Sequence, residues 1–363
     1  MVKLILVGGF LGSGKTTLLA EAAKQLATQG KAVGLITNDQ APELVDTRLL
    51  SRVGQGVSEV TGSCFCCNFD GFVAAVQSLV AQGADTIIAE PVGSCTDLSA
   101  TIMNPIKQFH SEWQLAPLTV LVDPNRFLEV LGKTASQVHP DALYIMKLQM
   151  DEADRILVSK SDTLSASGKS EVRQLLADIY PGKLTGLIST KTSDGVSQWL
   201  TEIQQATNAG MTIVPVDYDR YANGEAVLGW LNATASVTKK KDGLEIDALL
   251  RSLLSAFQAK LQQAGAEVGH IKAVLQLDGK EYVANLTHFD GVIDVRNTEP
   301  KSDLPTLILN ARVQISPEEL EAMVRELLTT AVADRLEFQI QSLRCLMPGR
   351  PNPTHRYAKI VGP

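Results

Sequence analysis

The chain has 363 residues, of which 45% are hydrophobic and 20% are charged. This length suits two domains with a core in each, and the composition is that of a globular protein, which excludes the disordered and fibrous classes. The formal net charge of −7 argues against a nucleic-acid partner, because binding a polyanion needs a basic surface. The apolar amino-terminal run is too short to span a bilayer, so we expect a cytoplasmic protein without a membrane partner.

Apolar strand-like segments alternate with helical segments over the first two hundred residues. In chain order they are LILVGG, KTTLLAEAAKQLATQG, AVGLITND, VSEVT, FDGFVAAVQSLVAQG, DTIIAE, LTVLVD, RILVSKSD and LTGLIST. Strands this uniformly apolar are typical of a parallel sheet that helices cover on both faces. The pattern predicts a doubly wound, mostly parallel α/β domain over residues 1–205.

The pattern changes after residue 205. Residues 206–245 are predicted to be a linker, which ends in a short lysine run. Beyond it, two helical segments accompany the closely spaced strands HIKAVLQLD, EYVANLTHF, GVIDVRN, TLILNARVQ and LEFQIQSL. Their two-residue alternation predicts an antiparallel sheet, and Ser316, Pro317 and Glu319 predict a capped start for the second helix. We therefore expect a smaller α+β domain over residues 246–363, with an irregular proline-rich tail.

The segment GFLGSGKT, residues 9–16, matches the pattern G-x-x-x-x-G-K-[ST] and stands between a buried strand and a helix. Its glycines allow successive backbone N–H groups to face a phosphate chain, and the helix presents its positive end to the same place. Lys15 is predicted to bridge β- and γ-phosphate oxygens, and Thr16 to bind Mg²⁺. A chance match on a glycine-rich turn is the alternative. The predicted nucleotide-binding residues are Gly9, Gly12, Ser13, Gly14, Lys15, Thr16 and Thr17.

Two acidic residues each end an apolar segment. Glu90 ends DTIIAE, and Gly93 follows it in an E-x-x-G arrangement, in which the carboxylate can reach metal-bound water and the Gly93 N–H can contact a γ-phosphate. Asp39 ends AVGLITND and is a second candidate for contact with water or magnesium, although the capping of a turn explains it equally well. The predicted catalytic residues are Lys15, Asp39, Glu90 and Gly93.

The segment RILVSKSD is similar to the N-K-x-D signature of GTPases, with Ser159 in place of asparagine. Asp162 would accept two N–H groups of guanine, and the Lys160 stem would cover the base. One neutral hydrogen bond is worth about 1 kcal/mol and bonds to a charged group about 1.5–3 kcal/mol, so the serine should weaken the preference for guanine without reversing it. Ser189, in ISTKTSDGV, resembles the later guanine-side loop of GTPases. We therefore favour GTP over ATP.

The segment GSCFCC, residues 62–67, holds three of the five cysteines in the chain. It precedes a helix, whose amino terminus favours thiolates, and three thiolates supply three corners of a tetrahedral metal site. Cys64, Cys66 and Cys67 are therefore predicted to bind a transition metal that must later be released, since one position stays open. Small buried core cysteines and an exchangeable Cys64–Cys67 redox pair are the alternatives.

Together, GGFLGSGKTT, C-x-C-C, E-x-x-G and the variant of N-K-x-D, followed by a smaller α+β domain, resemble the CobW/HypB/UreG family of P-loop GTPases and its CobW-like branch of metallochaperones. The resemblance covers the nucleotide domain closely and the second domain loosely. It implies hydrolysis of GTP coupled to delivery of Zn²⁺ or Co²⁺ to a client metalloprotein or cofactor enzyme, and an oligomer is compatible with it. The family's metal motif falls on the three cysteines, and its Walker B acid falls on Glu90.

The sequence departs from the family pattern at two places. Ser63 stands where the family usually has glycine before the first cysteine, and the usual N-E-F-G switch segment appears as NDQAPELVD. A nucleotide-regulated metal store or sensor, or a P-loop kinase of small molecules, are the alternative functions.

Two further residues are of interest. Cys95, two residues beyond Gly93, is hypothesised to complete the metal site in one nucleotide state, although a small loop cysteine is the simpler explanation. His355 is the histidine that we would test for metal or partner contact.

Overall fold

The computed structural model describes residues 1–39, 45, 50, 56–300 and 304–362, with the backbone alone at Asp39. Most of NDQAPELVD, predicted to be a switch, therefore lies outside the described residues. The chain divides into two compact units, and the first is built from three separate stretches of sequence. Unit 1 comprises Met1–Gln40, Asp46–Gly224 and Arg350–Pro363, and unit 2 comprises Ala41–Val45 and Glu225–Gly349.

Unit 1 contains a parallel sheet, as the uniformly apolar strands predict. Its strands in the described ranges are β1 (Val2–Gly9), β2 (Val33–Asp39), β3 (Gly56–Thr61), β4 (Thr86–Glu90), β5 (Trp113–Leu115), β6 (Thr119–Val122), β7 (Arg155–Val158) and β8 (Leu184–Leu187). Their order is β3-β2-β4-β1-β6-β7-β8, and β5 pairs with β1 beside β6. All of these pairs are parallel, so the carboxyl ends of β1, β2, β3 and β4 meet at one edge.

Helices connect these strands. They are α1 (Lys15–Thr28), α2 (Phe69–Ala81), α3 (Asn104–Phe109), α4 (Pro124–Val130), α5 (Pro140–Glu152), α6 (Ala166–Ile179), α7 (Val196–Gln205) and α8 (Tyr218–Ala226). The core lies along the central strand, where Leu4, Ile5, Leu6 and Val7 are fully buried. Each such side chain contributes about 1.5–3 kcal/mol of stability relative to exposure, which holds the glycine loop at the end of β1 on a rigid base. The doubly wound P-loop fold is confirmed.

Unit 2 contains an antiparallel sheet with two helices. The strands are β9 (Gly229–Lys239), β10 (Val268–Leu277), β11 (Lys280–Leu286), β12 (Asp294–Thr298), β13 (Thr306–Val313) and β14 (Leu336–Leu346), and the helices are α9 (Ile246–Gln263) and α10 (Pro317–Thr330). The strand order is β12-β11-β10-β13-β9-β14. The apolar sides of both helices share one core with the sheet. The predicted cap is confirmed, since Ser316 and Glu319 form a capping box at the start of α10.

The structure draws two boundaries differently from the sequence prediction. Residues 206–245 are not a linker: the boundary between the units falls after Gly224, and β9 lies inside the unit 2 sheet between β13 and β14. The inward-facing residues of β9 include Ala233 and Ala235, whose small side chains gave a weak alternation signal. The tail from Arg350 onward belongs to unit 1 rather than to the second domain.

None of the helices in the described part of the chain combines the length and apolarity that crossing a bilayer requires.

Candidate nucleotide and metal site

The glycine loop curls between β1 and α1 as the motif requires. Gly9, Gly12 and Gly14 all have positive φ angles, of 128°, 77° and 94°. A Cβ atom at position 9 would lie 2.2 Å from the Leu121 carbonyl oxygen, so glycine is required there. The Lys15 Nζ donates to the carbonyl oxygens of Gly9 at 2.8 Å and of Phe10 at 3.2 Å. The lysine thus folds over the loop where a phosphate chain would lie.

A second feature of the loop fits an oxyanion. The Ser13 hydroxyl is buried and has no hydrogen-bond partner among the described residues. A buried polar group without a partner is unfavourable, and a bound phosphate oxygen would supply that partner.

The residues predicted to bind magnesium lie together. The Thr16 hydroxyl donates to Glu90 Oε1 at 3.2 Å, and the Lys15 Nζ lies 3.8 Å from the same oxygen. Adjacent parallel strands explain the meeting, since β4 pairs with β1 and ends at Glu90. A hydroxyl and a carboxylate oxygen are the ligands that Mg²⁺ takes in nucleotide sites, so the donor set fits this ion. Asp39 ends β2 at the same edge, but its side chain lies outside the described residues.

Gly93 touches the glycine loop. A Cβ atom at position 93 would lie 2.6 Å from Leu11 Cδ2 and 3.0 Å from the Leu11 backbone nitrogen. The Gln149 side chain, on α5, donates to the carbonyl oxygens of Gly93 at 3.0 Å and of Cys95 at 2.8 Å. Gln149 was not predicted from the sequence, because a glutamine in an amphipathic helix carries no motif.

The two segments predicted to bind guanine also meet. The Ser189 hydroxyl donates to Asp162 Oδ1 at 2.6 Å, and the Lys160 Nζ lies 2.9 Å from Asp123 Oδ2. Ser159 directs its hydroxyl at the Val122 carbonyl oxygen, 3.3 Å away. Asp123 was missed, although its position before a proline, at the start of α4, is the typical signal of a helix cap.

The three cysteines form a compact cluster in the loop from β3 to α2. Their Sγ atoms are 2.9 Å apart for Cys64 and Cys66, 3.1 Å for Cys64 and Cys67, and 3.8 Å for Cys66 and Cys67. Zn–S bonds of about 2.3 Å at tetrahedral angles place sulfurs about 3.8 Å apart, so one distance already fits and two would lengthen by about 1 Å or less. All three thiols are free, and among the described residues they are the group that could hold a metal.

Asn38 positions this loop. Its Nδ2 donates to the carbonyl oxygens of Val60 at 2.9 Å and Ser63 at 2.8 Å, and its Oδ1 accepts from the Phe65 N–H at 2.9 Å. The preceding residue on β2, Thr37, pairs with Glu90 on β4. Asn38 was not singled out from the sequence, although the asparagine of NDQAPELVD was its signal.

The pKa values of the three thiols are shifted in different directions. Hydrogen bonds from Cys66, Cys67 and Cys95 strongly lower the pKa of Cys64. The same contact with Cys64, together with burial, raises the pKa of Cys66, and the Cys64 contact raises the pKa of Cys67 to about 11. A bound cation would favour deprotonation of all three thiols.

The tail lies against the cysteine loop. The Asn352 N–H donates to Cys67 Sγ at 3.2 Å, and the Thr354 N–H donates to the Cys66 carbonyl oxygen at 2.8 Å. The His355 ring packs against the rings of Phe69 and Phe109, with centroids 5.1 and 5.4 Å away. The structure thus assigns His355 a packing contact, and its proposed role with a metal or partner stays a prediction.

Two buried acids, Asp97 and Glu152, lie in or against the segment that follows Cys95, and both were missed by sequence reasoning. Asp97 Oδ2 accepts from the Tyr218 hydroxyl at 2.8 Å and from the Arg356 Nε at 2.6 Å. Glu152 accepts from the Thr96 hydroxyl at 3.0 Å and the Ser99 N–H at 3.2 Å, and its burial raises its pKa to about 8.

The fold and the glycine loop define a P-loop nucleotide-binding domain that carries a thiol cluster. The family model described as "CobW/HypB/UreG, nucleotide-binding domain" matches residues 3–185, just over half of the chain. The protein therefore belongs to the CobW/HypB/UreG family, whose members are GTP-binding P-loop proteins.

Several solved structures are similar to this chain. The Zn(II)-bound YjiA GTPase from E. coli is 15% identical, with 90% of this chain and 98% of that chain covered and a TM-score of 0.33. HypB from Helicobacter pylori in complex with nickel is 18% identical, with 55% and 84% covered and a TM-score of 0.40. HypB from Archaeoglobus fulgidus is 16% identical, with 57% and 91% covered and a TM-score of 0.42. A sequence search of curated proteins gave no match. The family assignment rests on the family model.

Proposed function

We propose that this protein is a GTP-hydrolysing metallochaperone, which binds a transition metal ion at Cys64, Cys66 and Cys67 and delivers it to a client protein or cofactor pathway. Zn²⁺ suits a tetrahedral thiolate site best, and Co²⁺ is the alternative. One observation carries the proposal: Asn38 hydrogen-bonds the cysteine loop, while its neighbour Thr37 pairs with Glu90, which in turn contacts Thr16. Two adjacent residues of β2 thus connect the metal cluster with the phosphate site.

In this proposal each residue has a distinct task. The loop N–H groups and Lys15 hold the phosphates, with Lys15 exchanging its present carbonyl partners for phosphate oxygens. Thr16 and Glu90 would hold Mg²⁺, which supplies charge neutralisation at the β- and γ-phosphates. Asp162, with Lys160 and Ser189 beside it, selects guanine. Gly93 packs on Leu11, so its segment responds when the γ-phosphate occupies the loop.

Turnover is expected to be slow without a stimulator. The residues assigned around the phosphates supply binding and orientation, whereas fast GTPases also place an arginine finger on the transferred group. Metal or client binding would provide the stimulation in this protein, which ties hydrolysis to delivery.

Phosphate release from GTP and from ATP tests the proposal. We expect hydrolysis of GTP in excess of ATP, stimulation by Zn²⁺ or Co²⁺, and a loss of about 10²–10³-fold in Lys15→Ala. Elemental analysis of protein purified without chelator should show about one equivalent of metal, absent from Cys66→Ser. Hydrolysis without metal stimulation would favour a nucleotide-regulated metal store or sensor, and phosphate transfer to an acceptor other than water would favour a kinase.

A redox function is the second candidate, favoured by one observation. Hydrogen bonds lower the pKa of the Cys64 thiol, and its sulfur lies 3.1 Å from that of Cys67, as in an exchangeable C-x-x-C pair. A disulfide that forms and is reduced in a metal-free sample, with no effect of Zn²⁺ on GTP hydrolysis, would support this candidate instead.

A further inference from the structure

The turn that follows β4 lies between the phosphate loop and the thiol cluster. The Cys95 N–H donates to the Val92 carbonyl oxygen at 2.8 Å, which closes the turn, and Gln149 binds the carbonyl oxygens of both Gly93 and Cys95. Gly93 packs directly on Leu11 of the phosphate loop. The turn is therefore one unit, and a displacement at Gly93 is carried to Cys95, two residues away.

A fourth thiol reaches the cluster from this turn. The Cys95 side chain is 1% exposed and neighbours the side chains of Cys64 and Cys66, although its sulfur lies more than 4.8 Å from at least one sulfur of the cluster. Cys67 receives its additional hydrogen bond from the Asn352 N–H instead. The backbone of the turn is held through carbonyl groups, so its conformation does not depend on a thiol at position 95.

We propose that Cys95 is the fourth ligand of the metal ion, closing a four-thiolate shell with Cys64, Cys66 and Cys67. This inference rests on the proposed function of the three-cysteine site. Four thiolates form the closed shell of sites that retain zinc, whereas three leave a position that a client's ligand can occupy. Binding forms four metal–sulfur bonds and releases to solvent the protons that remain on the thiols.

The position of Cys95 gives the shell a means of opening. When the phosphate loop changes its occupant, Leu11 bears on Gly93, and the turn held by Gln149 moves Cys95 with it. Withdrawal of Cys95 turns a closed four-sulfur site into an open three-sulfur site, from which the metal can pass to a client. The bound nucleotide then controls metal affinity by moving the metal ligand Cys95.

Titration of the full-length, metal-free protein with Co²⁺, followed by absorption, tests the assignment, because each cobalt–thiolate bond adds to the charge-transfer band. In Cys95→Ser the band should lose about a quarter of its intensity, as expected when one of four sulfur ligands is lost. Its Co²⁺ affinity should fall by at least the roughly 10–100-fold that follows loss of an outer-sphere partner of a metal ligand. Cys345→Ser, which changes a cysteine of β14, is the matched control and should behave as the wild type.

The outcomes separate the two proposals. A Cys95→Ser protein with the wild-type band and affinity overturns the fourth ligand and leaves the three-cysteine site intact. Absence of a thiolate band in the wild type, or its persistence in Cys66→Ser, overturns the metal site itself and this inference with it. Thermal unfolding of the metal-free variants confirms that each is folded.

A separate measurement tests whether nucleotide opens the four-thiolate shell. We expect Co²⁺ affinity in the wild type to differ between GDP and a non-hydrolysable GTP analogue, and this difference to disappear in Cys95→Ser. A wild-type protein without nucleotide dependence, or a variant in which affinity changes by the wild-type factor, shows that Cys95 does not couple the two sites.

Discussion

Two sets of ionisable side chains, the thiols of the cysteine cluster and the carboxylate of Asp97, are compensated differently. In the thiol cluster, the sulfurs receive hydrogen bonds from one another and from the Asn352 N–H, which are neutral donors. Asp97, by contrast, accepts a hydrogen bond from the positively charged guanidinium of Arg356. Burial penalises an ionised group unless a charge of opposite sign is near.

This difference suits the thiol cluster to a cation from outside the chain and Asp97 to a structural role. Asp97 already has a cation within the chain at Oδ2, although burial raises the pKa of this carboxyl and its Oδ1 has no hydrogen-bond partner among the described residues. Full ionisation of the thiol cluster would need a cation from outside the chain, which the proposed metal ion would supply. The tail contacts both groups: the Arg356 guanidinium pairs with Asp97, and the Asn352 backbone N–H donates to Cys67.

The largest expected effect comes from removing a sulfur from the thiol cluster. Cys66→Ser should lower Zn²⁺ affinity by about 10²–10³-fold, since structural zinc sites draw about 10–16 kcal/mol from four ligands and one ligand in four is lost. Competition with a chromophoric chelator measures the change, with Cys345→Ser as the control. Unaltered affinity in Cys66→Ser would show that zinc binds elsewhere.

The second prediction concerns the pH dependence of stability that Glu152 confers. Its pKa is raised from 4.5 to about 8 by burial, so between these values the folded protein alone holds the proton. Stability should therefore fall as the pH rises from about 4.5 to about 8 and level off above that range. The full shift corresponds to about 5 kcal/mol, and we expect roughly 2–4 kcal/mol after relaxation around the charge.

Urea unfolding at several pH values, on wild type and Glu152→Gln, measures this effect. Glutamine can accept from the Ser99 N–H through its Oε1 and donate from its Nε2 to the Thr96 hydroxyl, without a titrating proton, so the variant should be the more stable protein at pH 8. Parallel stability profiles for the two proteins would show that Glu152 ionises as freely when folded as when unfolded.

The third prediction concerns the ion pair of Arg356 with the buried carboxylate of Asp97. Arg356→Met should destabilise the protein by about 1–3 kcal/mol, because Asp97 is left buried without its cation, although the guanidinium is partly exposed and its contribution is reduced by solvent. Restoring neutrality with Asp97→Asn in the same chain should recover most of the loss. Arg350→Met is the matched control in the same tail, since its ion pair with Asp219 is exposed and should contribute little.

Chemical unfolding of these proteins gives the comparison directly. Equal destabilisation by Arg356→Met and Arg350→Met would mean that the tail is held by its packing and not by the buried charge.

The sequence predicted what depends on neighbours along the chain and missed what depends on neighbours in space. The apolar strands specify the parallel sheet, and the glycine loop is recognisable because phosphate binding needs glycine at Gly9 and Gly14 with lysine next to it. Asp162 and Ser189, which were assigned separately to a guanine site, lie in contact because both follow strands of one sheet. The assignments of these residues to nucleotide and metal stay predictions.

The missed features have no local signal. Gln149 and Glu152 lie on α5 in an ordinary amphipathic pattern, and their importance arises when α5 packs beside the turn after β4. The tail was expected to be irregular and part of the second domain, since its prolines exclude regular structure. Its attachment to unit 1 depends on hydrogen bonds such as that of Thr354, which join residues almost three hundred positions apart.

The smallest expected effect tests whether the tail contributes to the thiol cluster. Asn352 donates its backbone N–H to Cys67 Sγ, and this bond strengthens when the sulfur is ionised on a metal. Asn352→Pro removes the N–H in a segment where prolines already stand on both sides, and it should weaken Zn²⁺ binding by about 5–10-fold, the equivalent of one hydrogen bond of 1–1.4 kcal/mol. Asn352→Ala keeps the N–H and should bind zinc as the wild type does. If both variants lose affinity equally, the side chain of Asn352 matters for zinc binding and its backbone N–H does not.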